Sequence, residues 1–314
     1  MLPLVDQRDI GVDGDFICWP ADPSTYSLKD EPMMKALIRD RYGPPEVLEV
    51  RDIERLAPKE REVLVQVHAA SINDWDWQML QRPMLPLGFN SPRIRILGSD
   101  IAGRIAAVGS GVQRFTVGDE VYGDLSRFGS GGWGGFTEYV CAPEVTLVRK
   151  PPEMTFEQAA ALPQAGQLAV QGLFAAGPLR SGQKILINGA GGGVGTIAIQ
   201  LAKSQDMDDT KTTRSPFPYT RSLSPSGTYA TVGGDLSRLF QFVIFGWCIR
   251  QTTSKTVRLI MLKQNQDLPY LNEHFEAGQL IPVVDGPYKL SEAREAFRHF
   301  GAGTYKGKVV ITME

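Results

Sequence analysis

Cysteine is scarce in this chain. Its 314 residues hold three, Cys18, Cys141 and Cys248, far apart and with no Cys-x-x-Cys pair. That spacing excludes a disulfide framework and fits a reducing compartment, so a cytoplasmic location is expected. Histidine is as rare: His68, His274 and His299 have no ligand-type residues at metal-binding spacing. An excess of one charge is missing too. Lys and Arg number 33 against 35 Asp and Glu, which leaves no net field to draw nucleic acid or an anionic membrane surface. No apolar run reaches the roughly 20 residues of a membrane-spanning helix. The longest, LFQFVIFGWCI at 239–249, reads as a buried segment or a subunit contact. Residues 1–33 show no basic start followed by an apolar core. With Pro3, Pro20, Pro23 and Pro32 they read as an irregular extension.

What is present is ordinary globular material. Apolar residues make up 42% and charged residues 22%, and the length suits two domains. Up to about residue 150 the pattern is one of short strands and glycine turns. EVLVQVHAASIN (62–73) alternates as a half-buried strand, with His68 on its polar face. Ile101–Val108 reads as another strand, followed by a turn at Gly118-Asp119. TFEQAAALPQAGQLAVQGLFAAG then reads as helical. TYATVGG (228–234) and VRLIMLKQN (257–265) read as strands, LPYLNEHFEAGQL and SEAREAFRHFG as helices, the first with Gly278 near its end.

The most telling run is GQKILINGAGGGVGTIAIQLAK (182–203). Lys184–Asn188 is a strand candidate. A glycine turn follows, and then a helix with Val194, Ile197, Ala198 and Leu201 at helical spacing. That order is the context a dinucleotide-binding fingerprint requires. Ala190 stands at the first glycine position, Gly192 at the second and Gly195 at the third. Gly192 lets the backbone approach a pyrophosphate, Gly195 lets helix and strand pack closely, and the helix N-terminus at Gly193 and Val194 faces the phosphates. A structural glycine turn is the alternative.

The same run resembles the quinone oxidoreductase/zeta-crystallin branch of the medium-chain dehydrogenase/reductases, and the resemblance covers most of the chain. MKALIRDRYGPPEVLEV from Met34 resembles that family's first strand pair, GSDIAGRIAAVGSGVQRFTVGDEVYG (98–123) its GroES-like core, GGFTEYV and AAALPQAGQLAVQGL its domain crossover, and GKVVITM (307–313) its closing strand. The resemblance implies an α/β protein with a GroES-like β-barrel domain at 34–155, closed by 285–314, and a shortened Rossmann domain, a doubly wound parallel sheet, at 156–284. Zinc alcohol dehydrogenases share this architecture. Where their first zinc cysteine falls this chain has Asn73, and where their histidine falls it has Ser99; their four-cysteine lobe is absent. What the resemblance then implies is a zinc-independent NAD(P)H-dependent enzyme that reduces quinones or α,β-unsaturated carbonyls. NADP is the expected cofactor, with NAD the alternative, the partner is a small carbonyl or quinone substrate, and the assembly is a homodimer.

Asn73 is the candidate hydrogen-bond donor beside nicotinamide and substrate, its rival role being a cap on the turn after the strand. Asp76 matches a family position as well, either in proton transfer or as a loop anchor. Trp75 and Trp77 either line a flat pocket or pack in the core. Gly233 is expected to approach the nicotinamide or simply to end its strand. One block looks missing. Only 24 residues (204–227) separate the fingerprint helix from the next strand, too few for strands 2 to 4 and their helices. The ribose-reading residue at the end of strand 2 goes with them, and Asp208 and Asp209 read as solvated loop acids. Two other readings remain: a cofactor-free pseudo-enzyme or interaction module, and a zinc-type alcohol dehydrogenase.

Overall fold

The structure is a computed structural model that describes residues 32–82, 92, 94–126, 133–205, 227–232 and 254–314. The expected extension, all but its last two residues, lies outside them. So do Gly233, Asp208, Asp209 and the 239–249 run.

The chain opens with a hairpin, β1 (Met33–Arg39) against β2 (Leu48–Glu54). Next come β3 (Glu62–Ser71), α1 (Asp74–Gln81), β4 (Asp100–Val108), β5 (Glu120–Asp124), β6 (Tyr139–Pro143) and β7 (Leu147–Arg149). The end of the chain returns as β10 (Val284–Lys289), α6 (Ala293–Ala302) and β11 (Lys308–Thr312). These strands form a seven-stranded sheet in the order β10-β11-β3-β4-β5-β7, with β6 paired to β3. All its pairings are antiparallel except β10 with β11.

Period-2 alternation sends this sheet into two cores. Ala70, Ile101, Val309 and Ile311 face a core with Phe136 and the α6 residues Ala296, Phe297 and Phe300. Their neighbours Ala69, Ala102 and Val310 face a second core. In it lie α2 (Phe156–Ala160), α3 (Pro163–Leu173), α4 (Gly193–Ser204) and α5 (Leu268–Glu276). A step of one residue along β3 or β11 thus moves from one domain's interior to the other's.

Most expected elements form. Val63, Val65 and Val67 are buried while His68 is half-buried, its ring stacked on Phe156 at 4.2 Å. The helical run at 155–177 is split, because Pro163 lacks an N–H and opens α3 afresh. The run at Lys184–Asn188 is only partly extended: Lys184 makes a β-bridge, Ile185–Ile187 are not in a strand, and Leu186 is 43% exposed. A strand in a doubly wound sheet is held by neighbours on both sides. Among the described residues the parallel sheet here is only β8 (Thr228–Val232) beside β9 (Thr256–Ile260). An apolar run of five residues stays extended only where a neighbouring ladder holds it.

Candidate functional site

The glycine turn has the shape the fingerprint requires. Gly192 N–H donates to the Gly189 carbonyl at 3.1 Å, and α4 starts at Gly193 with Gly192 as its cap. Gly195 is required by close approach: a Cβ there would lie 2.2 Å from the Gly189 oxygen and 2.6 Å from Ala190 Cα. The outer side of the turn is open, since a Cβ on Gly191 would meet nothing within 4 Å. The first N–H groups of α4 have no partner inside the helix and sit at its positive end. Gly307 N–H donates to the Gly191 carbonyl at 2.8 Å and so docks the turn onto the segment that enters β11. An open backbone cradle at a helix N-terminus fits the diphosphate of a nicotinamide dinucleotide.

Asn73 sits at the end of β3, in the cap position of α1. Its own N–H donates to Asp76 Oδ2 at 2.8 Å, the backward reach of a capping box. Asp76 Oδ1 accepts from Gly98 N–H at 2.8 Å. Asp76 is fully buried, and burial pushes its carboxyl up to about 7 against the pull of those two amides. With both oxygens occupied by backbone, it anchors the loop that carries Asn73 and does not line the cavity.

The Asn73 carboxamide turns to other partners. Its Nδ2 donates to Ser99 Oγ at 3.3 Å, and its Oδ1 accepts from Lys308 Nζ. Lys308 Nζ also donates to the Ile72 carbonyl at 3.0 Å and lies 3.6 Å from Asp100 Oδ2. Asp100 is fully buried and accepts from Gln164 N–H at 3.2 Å. Burial holds its carboxyl above the ordinary range, opposed chiefly by Lys308.

A cavity of about 110 Å³ lies between Asn73 and α4, lined among others by Trp75, Gly193, Val194, Tyr305 and Lys308. The fold therefore brings Asn73, Gly193 and Val194 together. Ala190 and Gly192 lie in the adjoining turn, Gly195 lies in the first turn of α4, and Gly233 falls outside the described residues. Trp75 faces the cavity, whereas Trp77 packs on Phe300 with ring centroids 6.3 Å apart. A larger cavity, about 1120 Å³ between α3, β9 and α5, is lined by none of the candidate residues.

Lys308 and Tyr305 escaped the sequence reading. The one signal for Lys308 was a cation heading the apolar strand KVVI. Tyr305 stacks on Phe300 at 4.8 Å. Burial and the nearby Asp74 push its phenol up to about 12, so it stays protonated at neutral pH.

The comparisons agree with this geometry. Residues 59–152 match the alcohol dehydrogenase GroES-like domain and residues 213–311 the zinc-binding dehydrogenase family. The chain is 30% identical to a 2-methylene-furan-3-one reductase of Solanum lycopersicum, over 93% of this chain and 82% of that protein. The chain belongs to the medium-chain dehydrogenase/reductase family. An NADPH-dependent alkenal/one oxidoreductase of Arabidopsis thaliana is also 30% identical, over 88% of this chain and 79% of the relative. The structure of a quinone oxidoreductase from Coxiella burnetii superimposes with a TM-score of 0.76 at 25% identity, covering 90% of this chain and all of that one. The fold is that family's pair of domains, GroES-like and Rossmann.

The metal in the second family's description does not suit these residues. Asn73 and Ser99 offer a neutral amide and a hydroxyl, already hydrogen-bonded to each other, where catalytic zinc wants thiolate and imidazole. Among the described residues no three His, Cys, Asp or Glu side chains are grouped to hold a metal.

Proposed function

We propose that this member of the family is a zinc-independent, NADPH-preferring reductase of quinones or α,β-unsaturated carbonyls. One observation carries the reading: Asn73 and the first residues of the glycine-turn helix line the same cavity. Bound there, the dihydronicotinamide supplies a hydride. The chain's own groups do the rest. The open turn at Gly191 and Gly192 and the N-terminus of α4 hold the diphosphate. Trp75 and Phe300 give the cavity apolar walls that exclude water and suit a flat acceptor. As the carbonyl oxygen gains negative charge, the Asn73 carboxamide and the Tyr305 hydroxyl in the cavity wall supply hydrogen-bond donors. No covalent intermediate is needed. The relatives' names, a furanone reductase and an alkenal/one oxidoreductase, support the substrate class.

Purified protein mixed with NADPH and a panel of benzoquinones and enones tests this. Oxidation of NADPH that depends on the acceptor and disappears in Gly192→Asp is the expected result. Oxidation of simple alcohols that chelators abolish would restore the zinc reading. The short link of 24 residues at 204–227 favours one rival, a cofactor-free interaction module, for which no NADPH binding at millimolar concentration is the mark. We further propose a homodimer and a cytoplasmic location. Light scattering checks the first and imaging of the tagged chain the second.

A further inference from the structure

The geometry points to Lys308 as the residue that sets the orientation of the Asn73 carboxamide in the wall of the cavity. This inference rests on the proposed reductase function for its kinetic meaning, though not for its structural one. Lys308 heads β11 and Asn73 follows β3, so 235 residues of chain separate two side chains that meet in the fold. Lys308 is only 5% exposed. An ammonium group has donors and no acceptor. Whatever atom of Asn73 faces it must therefore be the amide oxygen, and the alternative with the amide turned over would set N–H against N–H. With Oδ1 fixed on Lys308, Nδ2 faces the other way. One of its two hydrogens goes to Ser99 Oγ. The Asn73 side chain also hydrogen-bonds the buried Asp100 carboxyl, which that contact pulls down, and Asn73 as a whole stands in the cavity wall.

The ammonium is itself held. Ile72 supplies a carbonyl and Asp100 a buried carboxylate, so Lys308 has three oxygen neighbours for three hydrogens. Its stem lies against the glycine turn: a Cβ on Gly193 would fall 2.6 Å from Lys308 Cδ and 2.9 Å from Cγ. Gly193 is thereby explained without any ligand. The absence of a side chain at the start of α4 lets the Lys308 stem pass beneath the cofactor-binding turn to reach Asn73 in the other domain. Lys308 is a positioning residue and not a catalytic one, since all its donors are spent on protein oxygens.

Removing Lys308 alone would strand Asp100 as an unpaired buried charge and put the fold at risk. The pair Lys308→Met/Asp100→Asn keeps the stem and removes both charges. Four proteins are compared: wild type, Asn73→Ala, the pair, and the pair with Asn73→Ala added. Thermal unfolding and NADPH affinity report whether the fold and the turn survive. We expect affinity within about threefold of wild type in all four. We expect kcat for quinone or enone reduction to fall roughly 100- to 1,000-fold in Asn73→Ala, the scale of one lost donor to a developing oxyanion. It should fall as far in the pair and no further when the two are combined. A combined loss equal to the product of the separate losses overturns the proposal, because Lys308 and Asn73 would then act independently.

A second readout needs no cofactor. In the ¹⁵N-labelled free protein the Asn73 side-chain amide signals, assigned by their loss in Asn73→Ala, are expected to move in the pair. Signals unchanged from wild type overturn the proposal even if the enzyme proves inactive. A wild type that oxidises no NADPH with any acceptor, together with shifted Asn73 signals, would sink the reductase reading and leave the positioning role standing.

Discussion

At Asp124 an amide is expected to serve the fold better than the native carboxyl. Asp124 faces Asp100 across β5 and β4, and both are fully buried. Asp124 Oδ1 accepts from Ser126 N–H at 2.8 Å, while Asp124 Oδ2 and Asp100 Oδ1 have no hydrogen-bond partner among the described residues. Burial, and then the charge of Asp100, push the Asp124 carboxyl up to about 7. An unfolded aspartate titrates near 4, roughly. The folded chain therefore holds a proton that the unfolded chain releases across this interval. The stability linked to it is fully present below about pH 4 and is lost as pH rises through 7. Asp124→Asn supplies a permanent donor opposite Asp100. We expect its melting temperature to fall less between pH 5 and 8 than that of wild type. At pH 8 it should be more stable by about 1–2 kcal/mol. A variant less stable than wild type at pH 8 contradicts this. At Gly195 the direction is opposite. A methyl group there meets the Gly189 oxygen at 2.2 Å, and it is backbone that must give way. Gly195→Ala is expected to cost about 1–3 kcal/mol, by chemical denaturation, and to weaken NADPH binding in step.

At the level of elements, periodicity reported burial faithfully wherever a partner existed. Val63, Val65 and Val67 alternate inward in β3, and Ile197 and Leu201 line the inner side of α4, each at 1% exposure. Lys184–Asn188 is instructive because its apolar pattern is just as good, yet among the described residues of the run only Lys184 is bridged. A strand is completed by a neighbouring ladder, and sequence pattern alone does not supply one. The consequence is measurable: Leu186→Thr is expected to change stability by less than about 0.5 kcal/mol, whereas Ile197→Ala should cost about 2–4 kcal/mol. Comparable losses at both positions would mean that the strand exists after all. The site divides in the same way. Asn73 and the glycine turn were legible because each is a local pattern with its own neighbours in sequence. Lys308 was not, because its burial and all its partners come from remote parts of the chain, and a lysine before a valine run reads as an ordinary strand end. Asp76 carried two readings in sequence, and only the geometry shows both its oxygens spent on backbone amides.

On the scale of the whole molecule, the chain is a family member with a GroES-like and a Rossmann domain. Its alignment to the Solanum reductase runs over 327 residues, more than the 314 it possesses, so the relative has positions that this chain lacks. The seven-stranded sheet carries the glycine turn, docked on it through Gly307, and the two domains share β3, β4 and β11 as a common wall. That sharing explains how the cleft is held: its floor belongs to this sheet, and α4 is pinned to that floor through the Gly307–Gly191 contact. The central claim is that this cleft still grips a nicotinamide dinucleotide. The most direct measurement is calorimetric titration of the purified protein with NADPH, run beside Gly192→Asp. That variant is a fair control: Gly192 is the helix cap at φ −83°, a place where aspartate is welcome, yet its carboxylate would occupy the seat of the diphosphate. A micromolar Kd in wild type with no detectable binding in Gly192→Asp is the result expected. No heat of binding up to millimolar NADPH, or equal affinity in both proteins, would contradict the account.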